Sequence, residues 1–145
     1  MNTLVANKFY ILLTCLFCVN FITFNTFSEG NLTKRAKRLN EIIIDGNNGL
    51  SINKINIETG KFYRLRITSD GKDEYIFEAP IFFRNIWIDQ IVIDKKEIKP
   101  TGIYFLEYDD KGSIDLFFIA LRTGSYNYGI RGYPEKRFKG QIIIK

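Results

Sequence analysis

The sequence has 145 residues, 46% of them apolar and 26% charged, with a formal net charge of +5. This size and composition indicate one globular domain and exclude long disorder, collagen and repeat arrays. Because 15% of the residues are aromatic and only three are proline, a β-rich core is favoured over a helical bundle. His is absent and both cysteines precede residue 19, which excludes nucleophile–imidazole catalysis and ordinary zinc sites in the body of the protein.

The N-terminus has the pattern of a secretory signal peptide. Lys8 precedes an uncharged, largely apolar run from Phe9 to Ser28, and this run ends in the small-x-small sequence Thr-Phe-Ser. We therefore expect residues 1–28 to be a signal peptide that is cleaved near Ser28, and the domain to work in the periplasm or cell envelope. The alternative is an uncleaved membrane anchor.

A basic stem is predicted at residues 29–40. Its charge is concentrated in four side chains, Lys34, Arg35, Lys37 and Arg38. Residues 39–145 carry 16 Lys or Arg and 15 Asp or Glu, so the basicity is local. A solvated stem in contact with anionic lipid headgroups explains the cluster better than a nucleic-acid groove. If the apolar run were an uncleaved anchor, however, the same charges would favour a cytoplasmic domain.

From residue 41 onward, apolar residues alternate with polar ones or form short runs between turns. The predicted strands are Glu41–Asp45, Leu50–Ile57, Phe62–Ser69, Tyr75–Ala79, Trp87–Asp94, Gly102–Tyr108, Ser113–Leu121, Ser125–Gly132 and Phe138–Lys145. Pro80–Asn85 is predicted to be an irregular or single-turn helical link. About eight short strands without a long helical stripe predict an all-β, Greek-key β-sandwich or barrel over residues 41–145.

The C-terminal segment resembles a known family. Residues 124–144 are G-S-Y-N-Y-G-I-R-G-Y-P-E-K-R-F-K-G-Q-I-I-I, similar to the last two strands of a cupredoxin, G-x-Y-x-F-x-C-x-x-H-x-x-x-x-M-x-G followed by a β-branched strand. The turn glycine, the two inward aromatics and the glycine after the axial ligand are matched by Gly124, Tyr126, Tyr128 and Gly140. The resemblance implies a cupredoxin-like domain with a plastocyanin-like frame.

The same resemblance puts other residues at the copper-ligand positions. Ile130 stands in place of the Cys, Tyr133 in place of a His and Phe138 in place of the Met, and the other His falls near Tyr75. Type 1 copper needs a thiolate and two imidazoles. The resemblance therefore implies a member that lacks the copper ligands and has no cofactor. We expect these side chains to fill the former site as core, the alternative being a small polar-aromatic pocket.

The segment Ala79–Trp87 is the most unusual part of the body. Pro80 restricts the residue before it to an extended conformation, and aromatic residues crowd a link that is normally polar. One interpretation is a plug that closes one end of the barrel. The other is a partner-binding surface, whose interface-like composition comes from Phe82, Phe83, Arg84 and Trp87.

Two carboxylate clusters are further candidates, Asp73-Glu74 and Asp109-Asp110 with Asp115. Such oxygen ligands could hold calcium, and a facing pair could run glycoside hydrolysis. Because both clusters fall at predicted hairpin turns, where Asp favours the turn itself, we interpret them as turn residues.

Together these features predict an exported, metal-free, cupredoxin-like binding or accessory module of the cell envelope, and not an enzyme. Its partner is expected to be another envelope protein and not a nucleic acid. Two alternatives stay open. One is a periplasmic copper-binding or electron-transfer protein with an unorthodox site. The other is a small carboxylate enzyme, which would need two carboxylates with shifted pKa values in one pocket.

Overall fold

A computed structural model describes residues 35–145, so the predicted leader at residues 1–28 and most of the predicted stem, Lys34 included, lie outside the described residues. Within the described range the elements are β1 (Lys37–Arg38), β2 (Ile42–Asp45), β3 (Gly49–Leu50), β4 (Lys54–Ile57), β5 (Phe62–Ser69), β6 (Tyr75–Glu78), α1 (Pro80–Phe83), β7 (Ile86–Ile93), β8 (Lys96–Ile98), β9 (Leu106–Tyr108), β10 (Gly112–Ala120), β11 (Gly124–Ile130), a 3-10 turn (Lys136–Phe138) and β12 (Lys139–Ile144). No helix in this range is long and apolar enough to span a bilayer.

The strands form two sheets that enclose one core. Sheet A has the order β3-β2-β5-β10-β7-β8, with β1 paired to β5 on the same side as β2. Sheet B has the order β4-β12-β11-β6-β9. The predicted all-β Greek-key sandwich is confirmed. It is an open sandwich, since neither sheet closes into a barrel within residues 35–145.

Strand β5 shows how the sequence builds the core. Tyr63, Leu65 and Ile67 are buried, whereas the arginines between them face outward, as the period of two in a strand requires. The hydroxyl of Tyr108 in sheet B donates a 2.9 Å hydrogen bond to the carbonyl of Ile67 in sheet A. The core is therefore held across the two sheets by a buried polar contact as well as by apolar packing.

The predicted strand Leu50–Ile57 is wrong as a single element. β3 ends at Leu50 in sheet A and β4 begins at Lys54 in sheet B, so the residues between them carry the chain from one sheet to the other. The apolar alternation shifts by one residue at this crossing, from Leu50 and Ile52 to Ile55 and Ile57, although both halves face the same core. The prediction of one strand overlooked this shift.

The region between β7 and β9 also differs from the prediction. Asp94 and Lys95 adopt positive φ angles of 46° and 67° and turn the chain into β8, which was not predicted. Its three residues are all exposed and carry no apolar alternation. The predicted strand Gly102–Tyr108 contracts to Leu106–Tyr108.

β1 lies within the segment predicted to be a solvated stem. Lys37 and Arg38 pair in parallel with Tyr63 and Arg64. The amide of Leu39 then donates a 2.9 Å hydrogen bond to the carbonyl of Arg64, and its side chain packs against the core. The sheet therefore includes residue 37, four residues before the predicted domain boundary, because backbone pairing does not depend on the charged side chains that suggested a stem.

Candidate functional site

Three of the four positions matched to copper ligands lie together in the structure. Tyr75 begins β6, Tyr133 follows β11, and Phe138 ends the 3-10 turn before β12. The ring centroids of Tyr75 and Tyr133 are 5.8 Å apart, and those of Tyr133 and Phe138 are 4.5 Å apart. Tyr75 and Phe138 are fully buried. We call these three residues the end cluster.

The fourth position, Ile130, is buried at the end of β11. It lies opposite Phe77 of β6 in the sheet. Its carbonyl accepts a 3.2 Å hydrogen bond from the amide of Tyr133, so the chain turns directly from β11 into the end cluster. An apolar side chain thus occupies the position that the resemblance assigns to a thiolate.

The two tyrosine hydroxyls of the end cluster are bound to carboxylates. The Tyr75 hydroxyl donates a 3.3 Å hydrogen bond to Oδ1 of Asp70, and the Tyr133 hydroxyl donates to Oδ2 of Asp73. Burial, together with the nearby Asp70 charge, raises the pKa of Tyr75 to about 12. The hydrogen bond to Asp73 raises the pKa of Tyr133 above its ordinary value. Both phenols therefore stay protonated at neutral pH.

The link between β6 and β7 divides into a buried part and an exposed part. Phe82 and Phe83 are 1% and 4% exposed. The Phe82 ring packs edge-on against Phe118 of sheet A, with the ring centroids 5.3 Å apart, and its centroid is 6.3 Å from that of Tyr126 in sheet B. The interpretation of Phe82 and Phe83 as partner-binding residues is therefore corrected, because α1 turns both rings into the core between the sheets.

Arg84 and Trp87 of the same link are exposed, and so are two large apolar side chains, Ile81 in α1 and Leu121 just after β10. Trp87 is 43% exposed, Ile81 56% and Leu121 49%. Asn85 is bonded to the residues of both apolar side chains. Its side-chain amide donates a 2.7 Å hydrogen bond to the carbonyl of Ile81, and its backbone carbonyl accepts one of 3.0 Å from the amide of Leu121. We call Arg84, Trp87 and Leu121 the Trp87 surface. Sequence reasoning missed Leu121, which the pairing of β7 with β10 places diagonally across from Trp87. Ile81 lines a different groove, with Tyr126 and Lys139 on the side of sheet B.

Comparison with known proteins gives no matching family model and no matching curated protein. Solved structures do match. A multicopper oxidase from Campylobacter jejuni superposes with a TM-score of 0.54 at 9% identity, over 77% of this chain and 31% of that chain. Another multicopper oxidase gives a TM-score of 0.54 at 7% identity, over 77% and 45%. Auracyanin A, a blue copper protein from Chloroflexus aurantiacus, gives 0.49 at 13% identity, over 77% and 100%.

The fold is cupredoxin-like. This cupredoxin-like domain spans 31% and 45% of the length of the two multicopper oxidases, and its identity to them is below a tenth. The likeness is one of backbone architecture. What the domain does is therefore argued from its own side chains.

The side chains of the end cluster do not fit a type 1 copper ion, the metal that the cupredoxin resemblance would imply. That ion needs a soft thiolate and imidazole nitrogens. The sequence has no His, and residues 35–145 contain no Cys. Tyr75 and Tyr133 offer only phenol oxygens that are protonated and already bound to carboxylates, while Ile130 and Phe138 offer no donor atom.

The aspartates at the turns serve the turns themselves. Oδ1 of Asp110 accepts a 2.6 Å hydrogen bond from the amide of Lys111, and Oδ1 of Asp73 accepts one of 2.9 Å from the amide of Glu74. No group of three or more His, Cys, Asp or Glu side chains within residues 35–145 is arranged to hold a metal ion.

Asp115 differs from the other candidate carboxylates. It lies in the middle of β10 and not at a turn, so its assignment to a turn is corrected. It is 7% exposed and receives four hydrogen bonds of 2.6 to 3.0 Å from Arg64 and Arg66 of the neighbouring strand. From the alternation in the sequence, Arg64 and Arg66 could be placed on one face of their strand. Their shared partner could not be predicted, because it depends on the β5–β10 register, which sets Asp115 opposite Arg66.

Proposed function

We propose that this chain is a metal-free, cupredoxin-like binding module that works in the cell envelope, and that it is neither an electron carrier nor an enzyme. The observation that supports this most is the end cluster. Tyr75, Tyr133 and Phe138 pack ring against ring at 4.5 to 5.8 Å, where the resemblance assigns two imidazoles and a thioether.

The end cluster favours packing over coordination for a physical reason. Burying two tyrosine rings and a phenylalanine ring stabilises the fold, and aromatic pairs at such distances add about 0.5–1.5 kcal/mol each beyond the buried area. Coordination by the phenols would require their ionisation, which the raised pKa values of Tyr75 and Tyr133 oppose.

The Trp87 surface is the binding face that we propose. It combines an exposed tryptophan, an exposed leucine and an arginine, and Trp and Arg are among the residues most enriched at interface hot spots. Arg84 and the neighbouring exposed Arg122 form no ion pair with a carboxylate of residues 35–145. The partner that fits is a protein surface with apolar side chains flanked by Asp or Glu.

Placement in the cell envelope is supported by the leader pattern. Lys8 and the uncharged run from Phe9 to Ser28 have the order and the length of a signal peptide. Radiolabelled chain expressed with its own N-terminus tests this placement. Export with loss of about the first 28 residues is expected, and retention of an uncut chain in the cytoplasm contradicts it.

Metal content tests the metal-free proposal. The protein is expressed with its own leader, purified without chelator and challenged with Cu(I) and with Cu(II), and elemental mass spectrometry counts the metal per chain. We expect no stoichiometric metal and no visible charge-transfer band. One tightly held copper per chain would overturn the proposal and restore electron transfer as the leading function.

Matched variants test the Trp87 surface. A partner captured by crosslinking in envelope extracts is purified and its affinity measured against the wild type, Trp87→Ala, Arg84→Glu and Tyr104→Ala. Tyr104 is 71% exposed and lies outside the surface, so it controls for the loss of any exposed aromatic ring. We expect Trp87→Ala and Arg84→Glu each to weaken binding at least about tenfold, and Tyr104→Ala to leave it unchanged. Equal affinities would refute this surface.

A further inference from the structure

A cavity separate from the Trp87 surface opens on the outer side of sheet A. It has a volume of about 160 Å³ and is lined by Arg38, Leu39, Glu41, Arg64 and Arg66. It forms where β1 and β2 run one after the other along β5 and the chain between them bends away from the sheet. Three of the five lining residues are arginines, and the proposed binding module uses none of them.

Asp115 fixes two of these arginines in one orientation. Nε and Nη2 of Arg64 donate to its two oxygens at 3.0 and 2.6 Å, and Nε and Nη2 of Arg66 donate to the same two oxygens at 2.9 and 2.8 Å. A guanidinium has five N–H donors, so Nη1 of each arginine keeps both of its hydrogens for another acceptor. The cavity is therefore lined by preorganised donors, which lose little side-chain entropy on binding.

The charges around the cavity do not cancel. Arg38, Arg64 and Arg66 exceed the two carboxylates Glu41 and Asp115 by one positive charge. Asp115 is already saturated by its two bidentate partners, and Oε1 of Glu41 accepts a hydrogen bond from the Thr68 hydroxyl. Arg38 forms no ion pair with a carboxylate of residues 35–145. An anion entering the cavity would thus meet a third guanidinium that is free to turn toward it.

We propose that this cavity is a binding site for a phosphate group. Arg38 keeps its whole guanidinium fork, which matches the oxygens of phosphate bidentately. Nη1 of Arg64 and Nη1 of Arg66 can donate to further oxygens of the same group. At about 30 Å³ per water molecule in the liquid, the cavity has room for one phosphate group with a few waters.

The phosphate has two sources, a free phosphate ion or the headgroup of an anionic phospholipid. Both present the same oxygens to the arginines. The lipid source fits the position of β1, since Lys37 and Arg38 are exposed and continue the basic cluster that precedes the domain. An experiment with one arm for each source distinguishes them.

In the first arm, the full chain is titrated with inorganic phosphate and amide chemical shifts are followed by NMR. We expect saturable shifts at residues around the cavity in the wild type. Arg38→Gln should weaken binding about tenfold, the loss of one charged hydrogen-bonding group. Glu41→Gln should tighten it severalfold because it removes a repelling charge. Arg131→Gln, which removes the same charge from sheet B, should leave it unchanged.

Opposite effects of Arg38→Gln and Glu41→Gln are not produced by unfolding, since both substitutions lie at exposed positions and the shifts of distant amides report the fold directly. Equal phosphate affinity in the wild type, Arg38→Gln and Arg131→Gln would overturn the proposal. So would shifts spread over both sheets without saturation.

In the second arm, binding to vesicles of phosphatidylcholine is compared with binding to vesicles that also contain phosphatidylglycerol. A preference for the anionic vesicles that Arg38→Gln reduces and inorganic phosphate competes away identifies the headgroup as the source. With phosphate binding established in the first arm, equal binding of the wild type and Arg38→Gln to both vesicles identifies free phosphate as the source.

Discussion

Asp115 is a carboxylate whose environment works in two opposite directions. Burial raises the pKa of its carboxyl, but the hydrogen bonds from Arg66 and Arg64 outweigh burial and hold that pKa below its ordinary value of 3.8. The ionised form is therefore stabilised by folding. Its contribution is fully present above about pH 4 and is lost as the pH falls through the lowered pKa of the folded state.

Asp115→Asn should lower the free energy of unfolding by about 2 kcal/mol at neutral pH. It leaves two guanidinium groups facing a neutral amide, and the partial exposure of Arg66 keeps the loss below that of a fully buried pair. Urea denaturation measures the change. Asp110→Asn, at an exposed turn, is the matched control and should change little; equal losses in the two variants would contradict the special role of Asp115.

Tyr128 makes the protein sensitive to alkali. Its hydroxyl donates a 2.6 Å hydrogen bond to the carbonyl of Ile52, and burial raises the pKa of Tyr128 from 10.0 to about 12. Folding thus favours the neutral phenol, so stability is present below about pH 10 and is lost as the pH rises toward 12. Tyr75, with its pKa raised to about 12, adds to the same loss.

Tyr128→Phe should therefore make the urea midpoint fall less steeply between about pH 10 and pH 12, while costing about 1 kcal/mol at neutral pH through the lost hydrogen bond. Denaturation at a series of pH values measures both effects. A slope as steep as that of the wild type would show that Tyr128 ionises normally in the folded state.

At the scale of the strands, the β11–β12 pair depends on a glycine. Gly140 lies opposite Tyr128, and a Cβ at this position would stand 2.2 Å from Cζ of the tyrosine ring. Gly140→Ala should lower the free energy of unfolding by about 2 kcal/mol, because the ring must leave its place. The matched control is Gly112→Ala in β10, where a Cβ meets nothing within 4 Å. Similar stabilities of the two variants in thermal denaturation would contradict this steric account.

The long strands could be predicted from the sequence because each carries its own alternation. β5 was predicted with its observed ends, Phe62 and Ser69. β1, β3 and β8 were not predicted, since two or three residues give no periodic signal and their pairing is set by partners far along the chain. For the same reason the β5–β10 register, which brings Asp115 to Arg64 and Arg66, could not be predicted from the sequence.

For the candidate site, the cupredoxin resemblance implied that Tyr133 and Phe138 lie near Tyr75, and these three rings do lie together. Whether they mark a former copper site stays a prediction. The link Ala79–Trp87 was ambiguous because composition does not show which side a ring faces. The single turn of α1 determines which side chains face the core. It buries Phe82 and leaves Arg84, two residues later, exposed.

At the scale of the whole molecule, α1 joins the two sheets, since the Phe82 ring packs against a ring of each. Phe82→Ala should lower the free energy of unfolding by about 3–4 kcal/mol, because it opens a cavity between Phe118 and Tyr126. Trp87→Ala should cost less than about 1 kcal/mol, because that ring is 43% exposed. Chemical denaturation of both variants compares a core residue with a surface residue of one link. If Trp87→Ala lowered the stability more than Phe82→Ala, Trp87 and not Phe82 would be the core residue of this link.

The placement of β12 has a consequence for when this protein can fold. β12 is an inner strand of sheet B, antiparallel to β11 on one side and parallel to the much earlier β4 on the other. Sheet B therefore cannot be completed until Lys139–Ile144 has been synthesised and has left the ribosome, because β12 joins β4 to β11. Until then β4, the edge strand beside β12, lacks the strand that it pairs with.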